Sequence, residues 1–148
     1  MKTKDLIILE EEMFSSFKSR KFAKSKRLAN KYLECSQSNK DNWNYGNAIH
    51  KANIILGKIS LIENQIELAK DYLIKAGNTP GSPQLNSFGP NMSLAKDLLE
   101  NGEKESVILF IEQSKSYWKW IFSWRKIRRW KKEINKGIIP NFGSNLNY

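Results

Sequence analysis

The stretch Ile55-Leu56-Gly57-Lys58-Ile59-Ser60-Leu61-Ile62-Glu63-Asn64-Gln65-Ile66-Glu67-Leu68-Ala69-Lys70-Asp71-Tyr72-Leu73-Ile74-Lys75-Ala76 decides the fold. Its apolar residues recur three and four apart on both sides of Asn64, as in two amphipathic helices joined by a tight turn. Gly57 precedes Ala69 by twelve residues, Leu73 follows four later and Ala76 three beyond that. Small residues at Gly57 and Ala69 fit two antiparallel helices at close approach, where a bulky side chain would hold them apart.

Working outward, the same pattern returns in fainter copies. Ala29-Asn30-Lys31-Tyr32-Leu33-Glu34-Cys35-Ser36 aligns with Ala69 to Ala76 at an offset of 40, keeping the Ala, the Tyr-Leu pair and the small last residue. Leu94-Ala95, Leu98-Leu99, Gly102, Val107, Ile111 and Ser114 align at an offset of 38, with Ala95 in place of Gly57 and Val107 in place of Ala69. Leu-Gly, then Ala, then a large residue and finally Pro80 resembles the signature of a tetratricopeptide (TPR) helix-turn-helix repeat of about 34 residues. The expected fold is all-α, a TPR-like stack of antiparallel helix pairs over about 5–36, 42–76 and 92–117. A capping helix over about 118–135 and an extended tail over 136–148 complete it. A non-repetitive helical bundle is the alternative. Solenoids of this kind bind partners and seldom perform chemistry.

At 148 residues the chain is long enough for one domain with a substantial core. No apolar run reaches the roughly 18 residues of a membrane span. The apolar stretch before Glu10-Glu11-Glu12 is too short for a secretion signal. The single cysteine, Cys35, excludes an internal disulfide framework and fits a reducing compartment, so a cytoplasmic location is expected. The net charge is +10 and uneven. Residues 1–33 carry nine basic and four acidic side chains, 34–105 seven and nine, and 106–148 nine and two. Basic ends point to an acidic protein, nucleic acid or anionic lipid as partner.

Residues 5–18 and 20–36 read as the first helix pair, with Leu6, Leu9, Met13 and Phe17 on one stripe. Asp41 or Asn42 is the expected cap of the next helix. Gly77-Asn78 is an expected C-cap with positive φ. Residues 77–91 hold three prolines and three glycines, which predicts a loop without regular structure, pinned to the body by Leu85 and Phe88. The tail over 137–143 reads as extended with apolar anchors.

Three stretches carry a further resemblance: Asp41-Asn42-Trp43-Asn44-Tyr45-Gly46-Asn47-Ala48-Ile49-His50, Thr79 through Met92, and Ile139-Pro140-Asn141-Phe142-Gly143-Ser144-Asn145-Leu146. Over residues 40–148 the chain resembles a family of small bacterial TPR-like proteins of uncharacterised activity. The resemblance implies the fold and carries over no catalytic residue. The family's usual last helix is less aromatic and less basic than Trp118 to Lys132 here.

Two constellations are candidate binding surfaces. Asn47, His50, Lys51 and Ile54 share one face of the second pair's first helix, the side that lines the concave surface of a stack. Gln84, Asn86 and Ser87 are expected to fold over that face, with Trp43 and Tyr45 at its rim. Amide and imidazole groups there suit a peptide backbone or a small polar ligand. The alternative is that Asn47 and His50 satisfy backbone groups of the long loop.

The second is the last helix. Tyr117, Trp120, Ile121, Trp124, Ile127, Trp130 and Ile134 form an expected core stripe, leaving Trp118 and Phe122 on an exposed edge continued by Arg125, Arg128, Arg129 and Lys132. Seven cations fall within the fourteen residues Lys119 to Lys132. Aromatics among cations suit phosphates and bases, or a membrane surface, while a plain capping helix with solvated charges is the alternative.

His50 is the only histidine, so a metal site built on His ligands is not expected, and no cofactor is implied. No nucleophile elbow or glycine-rich phosphate loop is present. The expected function is a non-enzymatic adaptor that recognises a macromolecular partner, foremost a protein. The alternatives are a nucleic-acid binder using the last helix, and an inhibitor or immunity-type protein that blocks an acidic enzyme or toxin.

Overall fold

The computed structural model describes residues 2–147, and every regular element among them is helical. Helices α1 (Thr3–Lys18) and α2 (Phe22–Gln37) form the first pair, and α3 (Tyr45–Ile62) and α4 (Ile66–Gly77) the second. A short α5 (Pro83–Phe88) lies within the long loop. Then come α6 (Ser93–Glu100), α7 (Glu105–Ser114) and α8 (Ser123–Asn135), and a 3-10 helix over Gly143–Leu146. Neighbours in sequence pack on one another from α1 to α4, α6 lies on α3 and α7, α7 packs against α4, and α8 against α7.

Local chemistry sets the element ends. The Lys2 backbone N–H donates to the Asp5 carboxylate at 3.0 Å, closing the start of α1. The turn between α3 and α4 is made at Asn64, with φ of 60°, a conformation that Asn tolerates better than other residues with a Cβ.

Helix α3 is the spine. Ile55, Leu56 and Ile59 face one core with Leu6, Leu9 and Met13 of α1 and Leu28, Ala29 and Tyr32 of α2. Ile54 faces the other, with Leu73, Leu94, Phe110 and Trp130. Over Ala52 to Gly57 the helix is enclosed on both sides and every residue is buried, which accounts for the absence of charge in that run. At Gly57 an added Cβ would stand 2.3 Å from Leu94 Cδ2, 3.2 Å from Tyr72 Cβ and 3.4 Å from the Ala69 carbonyl oxygen. Two helices, α4 and α6, therefore converge on this glycine. Ala29, Ala69 and Val107, the positions that align between copies, are all fully buried.

Several expectations are corrected. Helix α3 starts at Tyr45 rather than near Asn42, because Asn42 caps a preceding turn in which its Oδ1 accepts the Asn44 N–H at 2.9 Å. Asn78 has a φ of −84°, so α4 ends without a left-handed cap. The loop is not free of regular structure. Ser82 caps α5 by accepting the Leu85 N–H at 3.0 Å, with Pro83 in the first turn, where its missing N–H costs nothing. Leu85 anchors the loop as expected, whereas Phe88 is 63% exposed and its ring is no core anchor. The last helix begins at Ser123, five residues later than expected, after a turn over 115–122. In the tail Phe142 is buried, but Ile138 and Ile139 are exposed.

Candidate functional site

The polar face of α3 holds Asn47 and His50, both buried, and Lys51, which is half-buried. His50 Nε2 accepts the Asn91 backbone N–H at 2.9 Å. The ring's proton therefore sits on Nδ1, which lies 3.0 Å from the Ala76 carbonyl and donates to it. The ring stacks on Phe110 with centroids 6.0 Å apart and meets Tyr117 edge-on at 6.2 Å. Burial lowers the His50 pKa to about 4, with the Ala76 carbonyl opposing and the Lys51 charge adding to the shift. The imidazole stays neutral at pH 7. Both nitrogens are committed to backbone groups, one at the end of α4 and one in the long loop.

Asn47 belongs to a one-way chain of hydrogen bonds. Ser82 Oγ donates to Asn47 Oδ1 at 2.6 Å, Asn47 Nδ2 to Asn44 Oδ1 at 2.8 Å, and Asn44 Nδ2 to the Tyr32 hydroxyl at 2.9 Å. Tyr32 then donates to Glu10 Oε2 at 2.8 Å, and Lys51 Nζ pairs with the other oxygen of the same carboxylate. Each donor points towards the carboxylate, so the bonds polarise one another in one sense. Burial and the adjacent Glu10 push the Tyr32 pKa up, keeping the hydroxyl a donor. The chain crosses α1, α2, α3 and the loop, and ends at the partly exposed pair Glu10–Lys51. There, with Glu11, Phe14, Lys18 and Gln84, it borders an open groove of about 560 Å³.

The expected covering residues need correction. Gln84 reaches the groove, but Asn86 and Ser87 are exposed and make no hydrogen bond to Asn47 or His50. Ser82 and Asn91 take those places. Thr79 adds a third tie, its Oγ1 donating to the Gly46 carbonyl at 2.8 Å. Trp43 is exposed, and Tyr45 makes a long 3.4 Å contact to Gln37 Oε1 at the end of α2. This face is built to hold the loop, and little of it is left to meet a ligand.

The aromatic end differs more from expectation. Trp118, placed on the exposed edge by helical spacing, is 3% exposed. Its indole stacks on Trp130 with centroids 5.6 Å apart and lies over Gly89, where a Cβ would come within 2.4 Å of the ring. Trp130 in turn meets Phe142 edge-on at 5.1 Å. Trp120, Ile121 and Trp124, expected in the core, are 41%, 71% and 55% exposed, and Phe122 is 43% exposed. Only Tyr117, Ile127, Trp130 and Ile134 of the expected stripe are buried.

The turn over 115–122 causes the exchange. It is held by Trp118 N–H donating to the Ser114 carbonyl at 2.8 Å and Lys119 N–H to the Asn86 carbonyl at 3.0 Å. Once the helix is interrupted, the three-and-four spacing loses its phase across the break. No Gly or Pro marks this turn, and the polar run Ser114-Lys115-Ser116 was its only local signal.

Cations surround the exposed aromatics. Arg125 lies 5.1 Å from the Phe122 ring centre and 5.3 Å from that of Trp124, and Lys126 lies 5.4 Å from Trp120. Glu112 is paired with both Lys115 and Lys131, whose hydrogen bonds hold its carboxyl below the usual range. Among the described residues no carboxylate lies within 4 Å of Lys119, Arg125, Lys126, Arg128, Arg129 or Lys132. Arg128 borders a hollow of about 400 Å³ with Trp124, Ile127 and Lys131, and Arg129 borders another with Lys126, Glu133 and Asn141.

Among the described residues no cluster of three His, Cys, Asp or Glu side chains is arranged to hold a metal ion. No helix among the described residues is long and apolar enough to cross a membrane. Compared with protein-family models, with curated proteins and with solved structures, the chain matches none.

Proposed function

We propose that this is a cytoplasmic, non-catalytic, TPR-like binding protein that docks an anionic partner through the end of its helix stack. The single observation carrying this reading is the exposure of Trp120, Ile121, Phe122 and Trp124 within five positions, amid six cations that have no carboxylate partner among the described residues. Monomeric proteins seldom leave such an apolar cluster in water unless it meets something. Enrichment in Trp and Arg is also the composition of binding hot spots. The repeat reading is supported by full burial of Ala29, Ala69 and Val107 at matching positions and by the convergence of helices on Gly57. In that reading α8 caps the stack and also presents its binding surface.

The docking surface thus shifts from the concave face to the end. Asn47 and His50 have their polar atoms occupied by Ser82, Asn44, Ala76 and Asn91, so they are positioning residues for the loop. Trp118 is the internal support of the surface rather than part of it.

The test is site-specific photo-crosslinking in the source cell. A crosslinker at position 121 should capture a partner, protein or lipid, whereas one at 62, also exposed but at the end of α3, should not. Equal capture from both positions, or none from 121, overturns the assignment of this end as the docking surface.

A further inference from the structure

Resting on that reading, we propose that the partner is an anionic lipid bilayer, entered at headgroup depth by Trp120, Ile121, Phe122 and Trp124. The four residues lie within five positions, on a turn and the first turn of α8, and are 41–71% exposed. Indole and phenyl rings partition to the boundary between headgroups and hydrocarbon, where one edge is wet and the body apolar. Lys119, Arg125, Lys126, Arg128, Arg129 and Lys132 border the same segment, and the chain from Gln113 to Lys132 contains no acidic residue. A cationic collar behind an apolar tip is complementary to a surface whose phosphates lie just outside its hydrocarbon. With no helix able to span a membrane among the described residues, the contact is peripheral.

Ile121 separates this partner from a nucleic acid. It is the most exposed of the four, and an aliphatic side chain has no π face on which a base can stack. The rings are also partly taken. Trp120 stacks against Trp118 with centroids 6.5 Å apart and carries Lys126 at 5.4 Å, while Arg125 lies against both Phe122 and Trp124. Partition into a lipid boundary needs apolar bodies and nearby cations, both of which remain available in this arrangement.

The experiment is flotation of the full chain with vesicles of phosphatidylcholine alone and of phosphatidylcholine containing one quarter phosphatidylserine, at physiological ionic strength. The protein should float with the anionic vesicles and not with the neutral ones. Ile121→Ser combined with Phe122→Ser should reduce partition by about ten-fold or more. Arg125→Ala, Arg128→Ala and Arg129→Ala should each reduce it by about five-fold. These side chains are exposed, so melting temperatures should match the parent. Absence of anionic-vesicle binding, or binding unaffected by the Ile121 and Phe122 changes, overturns the proposal. So does tighter binding to a single-stranded oligonucleotide than to anionic vesicles. If vesicles fail while a crosslinker at 121 captures a protein in cells, the lipid partner is wrong and the docking surface stands. If both fail, both readings fall.

Discussion

Gly46 of α3 and Gly81 of the long loop meet backbone to backbone. A Cβ on Gly46 would stand 1.8 Å from the Gly81 carbonyl oxygen and 2.5 Å from its carbonyl carbon. The obstruction is main chain, which cannot swing aside as a side-chain tip can. Gly46→Ala should therefore lift the loop, breaking the Thr79 bond to the Gly46 carbonyl, at a cost on the order of 3 kcal/mol. Urea denaturation checks this, and a midpoint equal to the parent's would show that the loop is not seated there.

His50 makes stability depend on pH. In the folded chain its pKa is lowered to about 4, against about 6.5 unfolded. The unfolded state thus binds the extra proton first. Stability is complete above pH 6.5 and is lost as pH falls towards 4, by roughly 1.4 kcal/mol per unit. Protonation would also remove the lone pair that accepts the Asn91 N–H. Between pH 7 and 5 the parent should lose about 2 kcal/mol, while His50→Gln, less stable at pH 7, should lose much less. Parallel losses in the two proteins would assign the pH dependence to other groups.

Gly57 and Leu94 should behave as a coupled pair. The nearest atom to a Cβ at Gly57 is the Leu94 Cδ2, the movable end of a side chain. Gly57→Leu should cost on the order of 1–3 kcal/mol by overpacking. Gly57→Ala should also destabilise the parent but cost less in a Leu94→Ala background, where the nearest obstruction is gone and Ala is the better helix former, although Tyr72 Cβ still stands 3.2 Å away. A double-mutant cycle measures this, and simple additivity would rule the contact out.

The long loop is secured from the tail. Asn145 Nδ2 donates to the Phe88 and Pro90 carbonyls at 3.0 Å each, and its own carbonyl accepts the Met92 N–H at 2.7 Å. Asn145→Ala should destabilise by about 1–3 kcal/mol and open residues 79–92 to limited proteolysis. Phe88→Ala, which removes only an exposed ring, should leave the loop as resistant as in the parent. Cleavage in both variants at the same rate would mean that the tail does not hold the loop.

Trp118 and Ile121 should separate core from surface. Trp118→Ala removes an indole packed between Trp130, Trp120 and Gly89 and should cost about 3–5 kcal/mol. Ile121→Ser, at an exposed position, should stay within about 0.5 kcal/mol of the parent. Thermal melts of the two single variants decide it, and a reversed order would restore an uninterrupted last helix.

The all-helical class, the α3–α4 hairpin turning at Asn64 and the close approach at Gly57 were readable in the sequence, because they rest on spacing within one or two helical turns. The attachment of the loop to Asn47 and His50 was legible as an alternative, since buried polar groups on an apolar helix must find partners. The surface at the aromatic end was not legible. Whether Trp118 or Trp120 faces the core depends on the phase of a helix, and residues 115–122 reset that phase. That turn is held by a hydrogen bond from Lys119 to Asn86 and by the seating of Trp118 over Gly89, about thirty residues away. Gly46 is a parallel case, since what requires a glycine there is Gly81, 35 positions further on. Local periodicity set the helices and their apolar faces. Only contacts between distant segments decided which aromatics are enclosed and which stand in water.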